Sequence, residues 1–268
     1  MNHEKTVFFA RNLADAVSHL NSVHNLEITA GCTLSRGLPQ VSLNVRNIPE
    51  LNIIDRKEHF IEIGSAVSLA KIISIGQKRL PQVFYEAIQT TATPFVRNIA
   101  TIGGNICAVS CKEGALSMPR SLYAALSALD ARLEFANFKN NVTIHLTKFE
   151  KVPEKSVLTT VKIPLEEWDI SVFFRIGPMP FFNEKNAFFV FLAKTHKNII
   201  SDTRIVYSGL AHHRINEHEN LVLGIKLPLT TQHLQNILEH LNTENIFENP
   251  VQEAQYRNLF IGALEKLR

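Results

Sequence analysis

Two widely separated segments constrain this chain most, because in each a short apolar strand runs directly into glycine and small hydroxyl residues. The first is Ile28-Thr29-Ala30-Gly31-Cys32-Thr33-Leu34-Ser35, and the second is Ala100-Thr101-Ile102-Gly103-Gly104-Asn105. A pyrophosphate needs a concave array of backbone N–H groups with no side chain in the way. Glycine permits the close approach and takes the positive φ that turns consecutive N–H groups inward. Threonine and serine add hydroxyl donors. Neither segment has the Gly-x-Gly-x-x-Gly spacing, which argues against a Rossmann dinucleotide site. Taken singly, each segment also reads as an ordinary tight turn.

The surrounding pattern is mixed α and β. Leu13, Val17 and Leu20 lie at helical spacing, followed by strands at Leu26–Ala30 and Val41–Val45. Strands at Ile53-Ile54 and Phe60–Ile63 come next, then a helix from Leu69 to about Ile75 and another starting at Pro81, where proline suits the first turn. Residues 90–114 lack a sustained period and predict loops with one short helical turn at most. Helical spacing resumes over Pro119–Leu129, and strands follow at Ala131–Phe135 and Ser156–Ile163. Beyond residue 170, strands are expected at Val172–Ile176 and Thr203–Tyr207, and amphipathic helices at Thr230–Leu241 and Pro250–Leu267. With no Gly/Ser linker or repeat, the texture change near 165–171 marks a compact junction between two domains.

A chain of 268 residues, 45% hydrophobic and 20% charged, has ample material for two buried cores. Its 28 basic and 25 acidic residues are interspersed, so no one-signed surface suits nucleic acid. No segment approaches the roughly 18 apolar residues of a membrane span, and no membrane partner is expected. The polar start Met1–Lys5 does not read as a secretory leader. Three cysteines do not make a disulfide framework, and a cytoplasmic protein with reduced thiols is expected.

The stretch Phe95-Val96-Arg97-Asn98-Ile99-Ala100-Thr101-Ile102-Gly103-Gly104-Asn105-Ile106 closely resembles the second flavin-binding motif of the FAD subunits of molybdenum hydroxylases. This is the family of xanthine dehydrogenase and carbon monoxide dehydrogenase. Thr29-Ala30-Gly31-Cys32-Thr33-Leu34 stands where that family has Ala-Gly-Gly-Thr-Asp-Leu. Ile63–Leu69, Ala125–Ala131, Val157–Pro164, Ser201–Ile205 with Gly209–Ala211, and Tyr256-Arg257 extend the similarity over nearly the whole chain.

The resemblance implies an α+β fold: a vanillyl-alcohol-oxidase (PCMH)-type FAD-binding domain over residues 1–168, with α/β subdomains of about 1–52 and 53–168. A β-sheet-plus-helix C-terminal domain of the carbon monoxide dehydrogenase flavoprotein type would occupy residues 169–268. It implies that Ile28, Thr29, Ala30, Gly31, Cys32, Thr33, Leu34 and Ser35 wrap the FAD pyrophosphate from one side. Thr101, Ile102, Gly103, Gly104 and Asn105 would do so from the other, with Leu158 near the adenine or ribose and Arg175 beside the flavin. It further implies a molybdopterin-binding large subunit and a [2Fe–2S] small subunit as partners. Electrons would pass from the clusters through FAD to NAD+ or another acceptor.

The chain departs from the family pattern at Cys32 and Leu34, at Val109–Gly114, where the aspartate of Ala-Ser-Pro-x-x-Asp is missing, and at the bulky Pro178–Phe182. These departures keep a second reading open, an assembly subunit without redox function. A stand-alone flavin or dinucleotide oxidase is a third. Cys32, Cys107 and Cys111 lack zinc-site spacing and read as inert thiols. His212, His213 and His218, among Asn216, Glu217, Glu219 and Asn220, read as a solvated loop and not as a metal site. Phe181 and Phe182 suggest a docking surface, and no catalytic nucleophile is assignable.

Overall fold

A computed structural model describes residues 5–33, 39–108, 120–178, 186–209, 212–243, 246–247 and 249–268. The chain divides into two compact units, each assembled from separated stretches. The first comprises Met1–Leu80, Thr91–Leu116 and Leu129–Glu166, and the second Pro81–Thr90, Ser117–Ala128 and Glu167–Arg268.

The first unit opens with β1 (Thr6–Phe9), α1 (Leu13–Ser22), β2 (Glu27–Thr29) and β3 (Val41–Asn44). The strands pair in parallel in the order β1-β3-β2. Helix α1 starts at Asn12, whose side chain accepts from the Asp15 amide at 2.8 Å, satisfying a donor with no partner within the helix. Its buried residues are Ala16, Val17 and Leu20; of the three expected from the spacing, Val17 and Leu20 are buried and Leu13 is half-buried.

Past a short 3-10 turn at Pro49–Asn52 come β4 (Ile54–Arg56) and β5 (Phe60–Gly64). Among the described residues the helices α2 (Leu69–Ile73), α3 (Gln82–Thr90), α4 (Pro94–Ile99), α5 (Ile102–Cys107) and α6 (Tyr123–Ala128) follow. Then β6 (Arg132–Ala136), β7 (Asn141–His145) and β8 (Val157–Pro164) complete an antiparallel sheet of order β4-β5-β8-β6-β7. Leu43, Ile48, Leu51, Ala66, Ala136 and Val157 join one buried cluster with α1, so the two sheets of this unit share a core.

The second unit is built on an antiparallel sheet of order β12-β11-β10-β9, from β9 (Ile170–Ile176), β10 (Ala187–His196), β11 (Ile199–Ser208) and β12 (His212–Arg214). Helices α7 (Asn216–Val222), α8 (Thr231–His240) and α9 (Pro250–Glu265) complete it. Phe189, Phe191, Ile205 and Tyr207 pack with Val222, Ile237, Tyr256 and Phe260 on one face. Phe188, Val190 and Leu192 point to the opposite face and are also fully buried. Helices α3 and α6 pack against β9, β10 and β11.

Several features differ from the sequence expectation. The sequence predicts one domain over residues 1–168, whereas α3 and α6 within that range pack in the second unit. Their apolar residues, Phe84 and Ile88 in α3 and Leu126 in α6, are fully buried there. Residues 94–107 are two helices and not loop, each started by a threonine cap. Thr93 Oγ1 accepts from the Val96 amide at 3.4 Å and Thr101 Oγ1 from the Gly104 amide at 3.0 Å. Strands β7 and β10 add to those expected.

The histidine segment is strand and helix, not a solvated loop, and His218 is 1% exposed. Its Nε2 lies 2.7 Å from the Asn242 carbonyl, which can only accept. Nε2 therefore carries the proton in the neutral ring, and Nδ1 accepts from the Tyr256 hydroxyl at 2.6 Å. Burial pushes the His218 pKa down, partly opposed by the Asn242 carbonyl and Glu217, with Arg257 adding a smaller push down. Beside it, buried Glu219 accepts from the Ile205 amide at 2.9 Å and from Arg214 Nε at 3.2 Å.

Candidate functional site

The first glycine loop leaves the carboxyl end of β2 in the parallel sheet. Thr29 is buried and ties that end down: its Oγ1 donates to the Leu43 carbonyl at 3.3 Å, and its own carbonyl accepts from the Val45 amide at 2.9 Å. Ala30 and Gly31 are half-buried, whereas Cys32 and Thr33 are exposed. Ile28 is 37% exposed. Leu34 and Ser35 lie outside the described residues. Cys32 adopts φ +51°, in the left-handed region that glycine enters without steric cost. The backbone the family pattern meets with glycine is therefore formed here by a residue with a Cβ.

The second loop is held by backbone atoms. The Leu69 amide donates to the Ala100 carbonyl at 2.9 Å, the Ile102 amide to Val67 at 3.1 Å, and the Gly103 amide to Ser65 at 2.9 Å. The Ser65 amide in turn donates to the Thr159 carbonyl of β8 at 2.9 Å. The Gly104 amide is capped by Thr101 Oγ1, and the Asn105 amide donates to the Thr101 carbonyl at 3.0 Å. The amides of residues 102 to 105 thus all have acceptors within the protein, so this loop presents shape and side chains more than backbone donors. Arg97, of the Arg-Asn pair, donates from Nη1 to the Ala92 carbonyl at 2.8 Å and steadies the start of α4.

The two loops meet. A Cβ on Gly31 would lie 2.2 Å from the Ile99 carbonyl oxygen and 3.2 Å from Ala100 Cα. Gly31 has no positive φ, so its glycine is required by space alone. A Cβ on Gly103 would meet the Ser65 carbonyl oxygen at 2.7 Å, while Gly104 is exposed. The pair of glycines therefore divides its work: Gly103 closes the loop onto Ser65, and Gly104 faces outward. An FAD pyrophosphate fits this arrangement at the outward-facing positions, namely Cys32, Thr33 and Gly104 beside the Gly31 contact.

Leu158 is buried in β8, opposite Phe135 at a register shift, and the adjoining Thr159 carbonyl accepts from the Ser65 amide. Arg175 belongs to the second unit. Its Nη2 donates to the Pro178 carbonyl at 2.7 Å and its Nη1 to the Thr90 carbonyl, joining β9 to the end of α3. Burial lowers its pKa from the usual arginine value. Ser65 and Val67 are organising residues the motif reading passes over; they act through backbone atoms and leave no side-chain signature.

Among the described residues no group of three or more histidine, cysteine or acidic residues could hold a metal. Cys32 is exposed and Cys107 half-buried, and Cys111, Glu113, Gly114, Phe181 and Phe182 lie outside the described residues. No helix among the described residues is long and apolar enough to cross a membrane.

Residues 3–166 match the family described as "FAD binding domain in molybdopterin dehydrogenase". The chain is 31% identical over 188 residues to "Probable aldehyde oxidase 1" of Oryza sativa subsp. japonica, a match covering 62% of this chain and 13% of that protein. It therefore spans a small part of the curated relative it matches. In fold it resembles a chain of carbon monoxide dehydrogenase from Hydrogenophaga pseudoflava, with TM-score 0.79 and 18% identity over 98% of this chain and 96% of that one. Quinoline 2-oxidoreductase from Pseudomonas putida 86 gives TM-score 0.76 and 14% identity over the same 98% and 96%. The family match covers more than half of the chain and coincides with both glycine loops, so this chain belongs to the FAD-binding domain family of molybdopterin dehydrogenases, whose cofactor is FAD.

Proposed function

We propose that this chain is the flavoprotein component of a molybdenum hydroxylase. In this reading it receives electrons from the [2Fe–2S] centres of a small subunit, reduced in turn by a molybdopterin-binding large subunit, and passes them to NAD+ or another acceptor in the cytoplasm. The observation that carries the reading is the contact of Gly31 with the backbone of Ile99 and Ala100, which joins two distant glycine loops into one surface.

FAD, when bound, would supply the redox chemistry. The protein's part is to hold and orient it. Of the first loop, Ile28 to Thr33 would hold the pyrophosphate from one side, through the amides around Gly31 and Cys32 and the Thr33 hydroxyl. Thr101 to Asn105 close the other side, with Gly104 allowing approach and Asn105 adding an amide side chain. Leu158 would support the adenine side through β8.

The assembly-subunit reading keeps the same partners but no flavin. It is favoured by the left-handed Cys32 and by the internal bonding of the Ile102 to Asn105 amides. The absorption spectrum of the purified chain, before and after adding FAD and followed by acid release, separates the two. Flavin bands with FAD released support the redox reading. A protein that stays colourless in excess FAD refutes it and leaves the scaffold. Co-purification with two further chains supports either subunit role, and its absence favours a stand-alone flavoprotein.

A further inference from the structure

In the first unit a cleft of about 370 Å³ opens where the turn after β3, the start of α2 and the end of α4 converge. Its polar lining is Arg46, Asn47, Asn52, Ser68, Lys71 and Asn98. Two are cations, and no carboxylate is among the described lining residues. Neither cation has an ion pair among the described residues.

Both cations are positioned by carbonyls instead. Lys71 Nζ donates to the Asn52 carbonyl at 2.9 Å, and Arg46 Nη2 to the Asn98 carbonyl at 3.4 Å. Asn52 links the two, since its Nδ2 donates to the Arg46 carbonyl at 2.7 Å and to Ile48 at 2.9 Å. A guanidinium has five N–H donors and an ammonium three, so each retains donors after these contacts. The exposed side chains of Asn47 and Asn98 add amide donors at the rim.

We infer that this cleft is a binding site for a phosphoryl group. Two fixed cations match a phosphate dianion, and guanidinium and amide donors suit its several acceptor oxygens. The volume is at the small end of the roughly 300–1,000 Å³ typical of small-molecule pockets, enough for a phosphate with an attached sugar. Arg46 also follows the carboxyl end of a parallel strand, the edge at which such sheets take ligands. The chemistry has two candidate sources: the pyrophosphate of FAD, since Asn98 adjoins the Ile99 carbonyl that Gly31 touches, or a second phosphorylated molecule. The inference stands on the cleft and does not depend on the flavin reading.

The test is calorimetric titration of the full chain with inorganic pyrophosphate at low salt. Wild type is expected to bind, and Arg46→Gln/Lys71→Gln to bind at least about tenfold more weakly. Arg46→Lys/Lys71→Arg, which keeps the charge, is expected to retain binding. Lys71 is exposed, so Lys71→Gln alone serves if the double variant does not fold. Absence of pyrophosphate binding by wild type, or equal affinity in the glutamine variants, overturns the inference. Repeating the titration on FAD-saturated protein identifies the source: binding that persists points to a second phosphorylated molecule, and binding that FAD displaces points to the cofactor's own pyrophosphate. Failure of the flavin reading shows separately, as absent flavin absorption.

Discussion

Replacing Gly31 by alanine tests the contact on which the flavin surface depends. The added Cβ would sit 2.2 Å from the Ile99 carbonyl oxygen and 2.9 Å from its carbonyl carbon. Non-bonded heavy atoms prefer roughly 3.5–4.0 Å, so the loops must separate by about 1 Å or more. The obstructing atoms are backbone, and the Ala100 carbonyl that follows is already bonded to the Leu69 amide at 2.9 Å, so the strain cannot be relieved by turning a side chain. Overpacking of this kind costs about 1–3 kcal/mol. Alanine also restricts the unfolded chain, which returns about 0.4–1 kcal/mol. The net expectation is a loss of about 1–2 kcal/mol in urea unfolding, with FAD affinity lowered at least about tenfold.

A control separates sterics from conformation. Gly76 has φ +97°, and a Cβ there would meet nothing within 4 Å, so Gly76→Ala is expected to lose about 1 kcal/mol through φ alone and leave FAD binding unchanged. Chemical denaturation and flavin fluorescence quenching read the two effects. Wild-type stability and FAD affinity in Gly31→Ala would refute the claim that the loops are locked by this contact. Lost stability with unchanged affinity would show that the contact supports the fold and not the cofactor site.

Three further outcomes are expected. Cys32→Gly relieves a left-handed non-glycine backbone and should leave stability unchanged or raise it by up to about 1 kcal/mol while tightening FAD binding, as read by unfolding and flavin titration; weaker binding would count against the loop's role. Thr101→Val removes the acceptor of the Gly104 amide and should cost about 0.5–2 kcal/mol, with a parallel loss of FAD affinity. His218 has a folded pKa below its ordinary value, mainly through burial, so its stability contribution is complete above about pH 6.5 and is lost as pH falls toward the folded value. Stability against pH should therefore fall across that window by at most about 1.4 kcal/mol per unit, and His218→Gln should flatten the slope; an unchanged slope would show that His218 is not the group titrating.

The parts of the fold that the sequence makes legible are those whose burial is one-sided. Leu13, Val17 and Leu20 share the one face of α1 that turns to the core, and α1 follows from their spacing. Strand β10 is buried on both faces from Ala187 to Ala193, so its residues do not alternate, and its aromatic run reads as core without revealing a strand. Helices α4 and α5 have six residues each, too short for a period, and only their threonine caps mark them. His218 illustrates the opposite error. Its neighbours Asn216, Glu217 and Asn220 are exposed and polar, yet the helix turns His218 and Glu219 inward onto partners from α9, β11 and β12.

The glycine loops show why a motif can be legible while the work of each residue is not. Gly31, Gly103 and Gly104 look alike in sequence, each a residue able to admit a phosphate. In the fold, Gly31 and Gly103 are occupied by other backbone, at Ile99 and Ser65, and only Gly104 faces outward. Two of the three are therefore required for docking one loop onto its neighbour, a constraint set by chain segments distant in sequence. The positive φ expected of a phosphate-cradling glycine falls instead on Cys32. Substitutions at Gly31 and Gly103 should accordingly act first on stability and then on FAD, whereas a bulky residue at Gly104, whose Cβ would meet only the Thr101 hydroxyl at 3.0 Å, should act on FAD at a smaller cost in stability. That ordering distinguishes a cradle made of glycine from a cradle made of segments that glycine allows to touch.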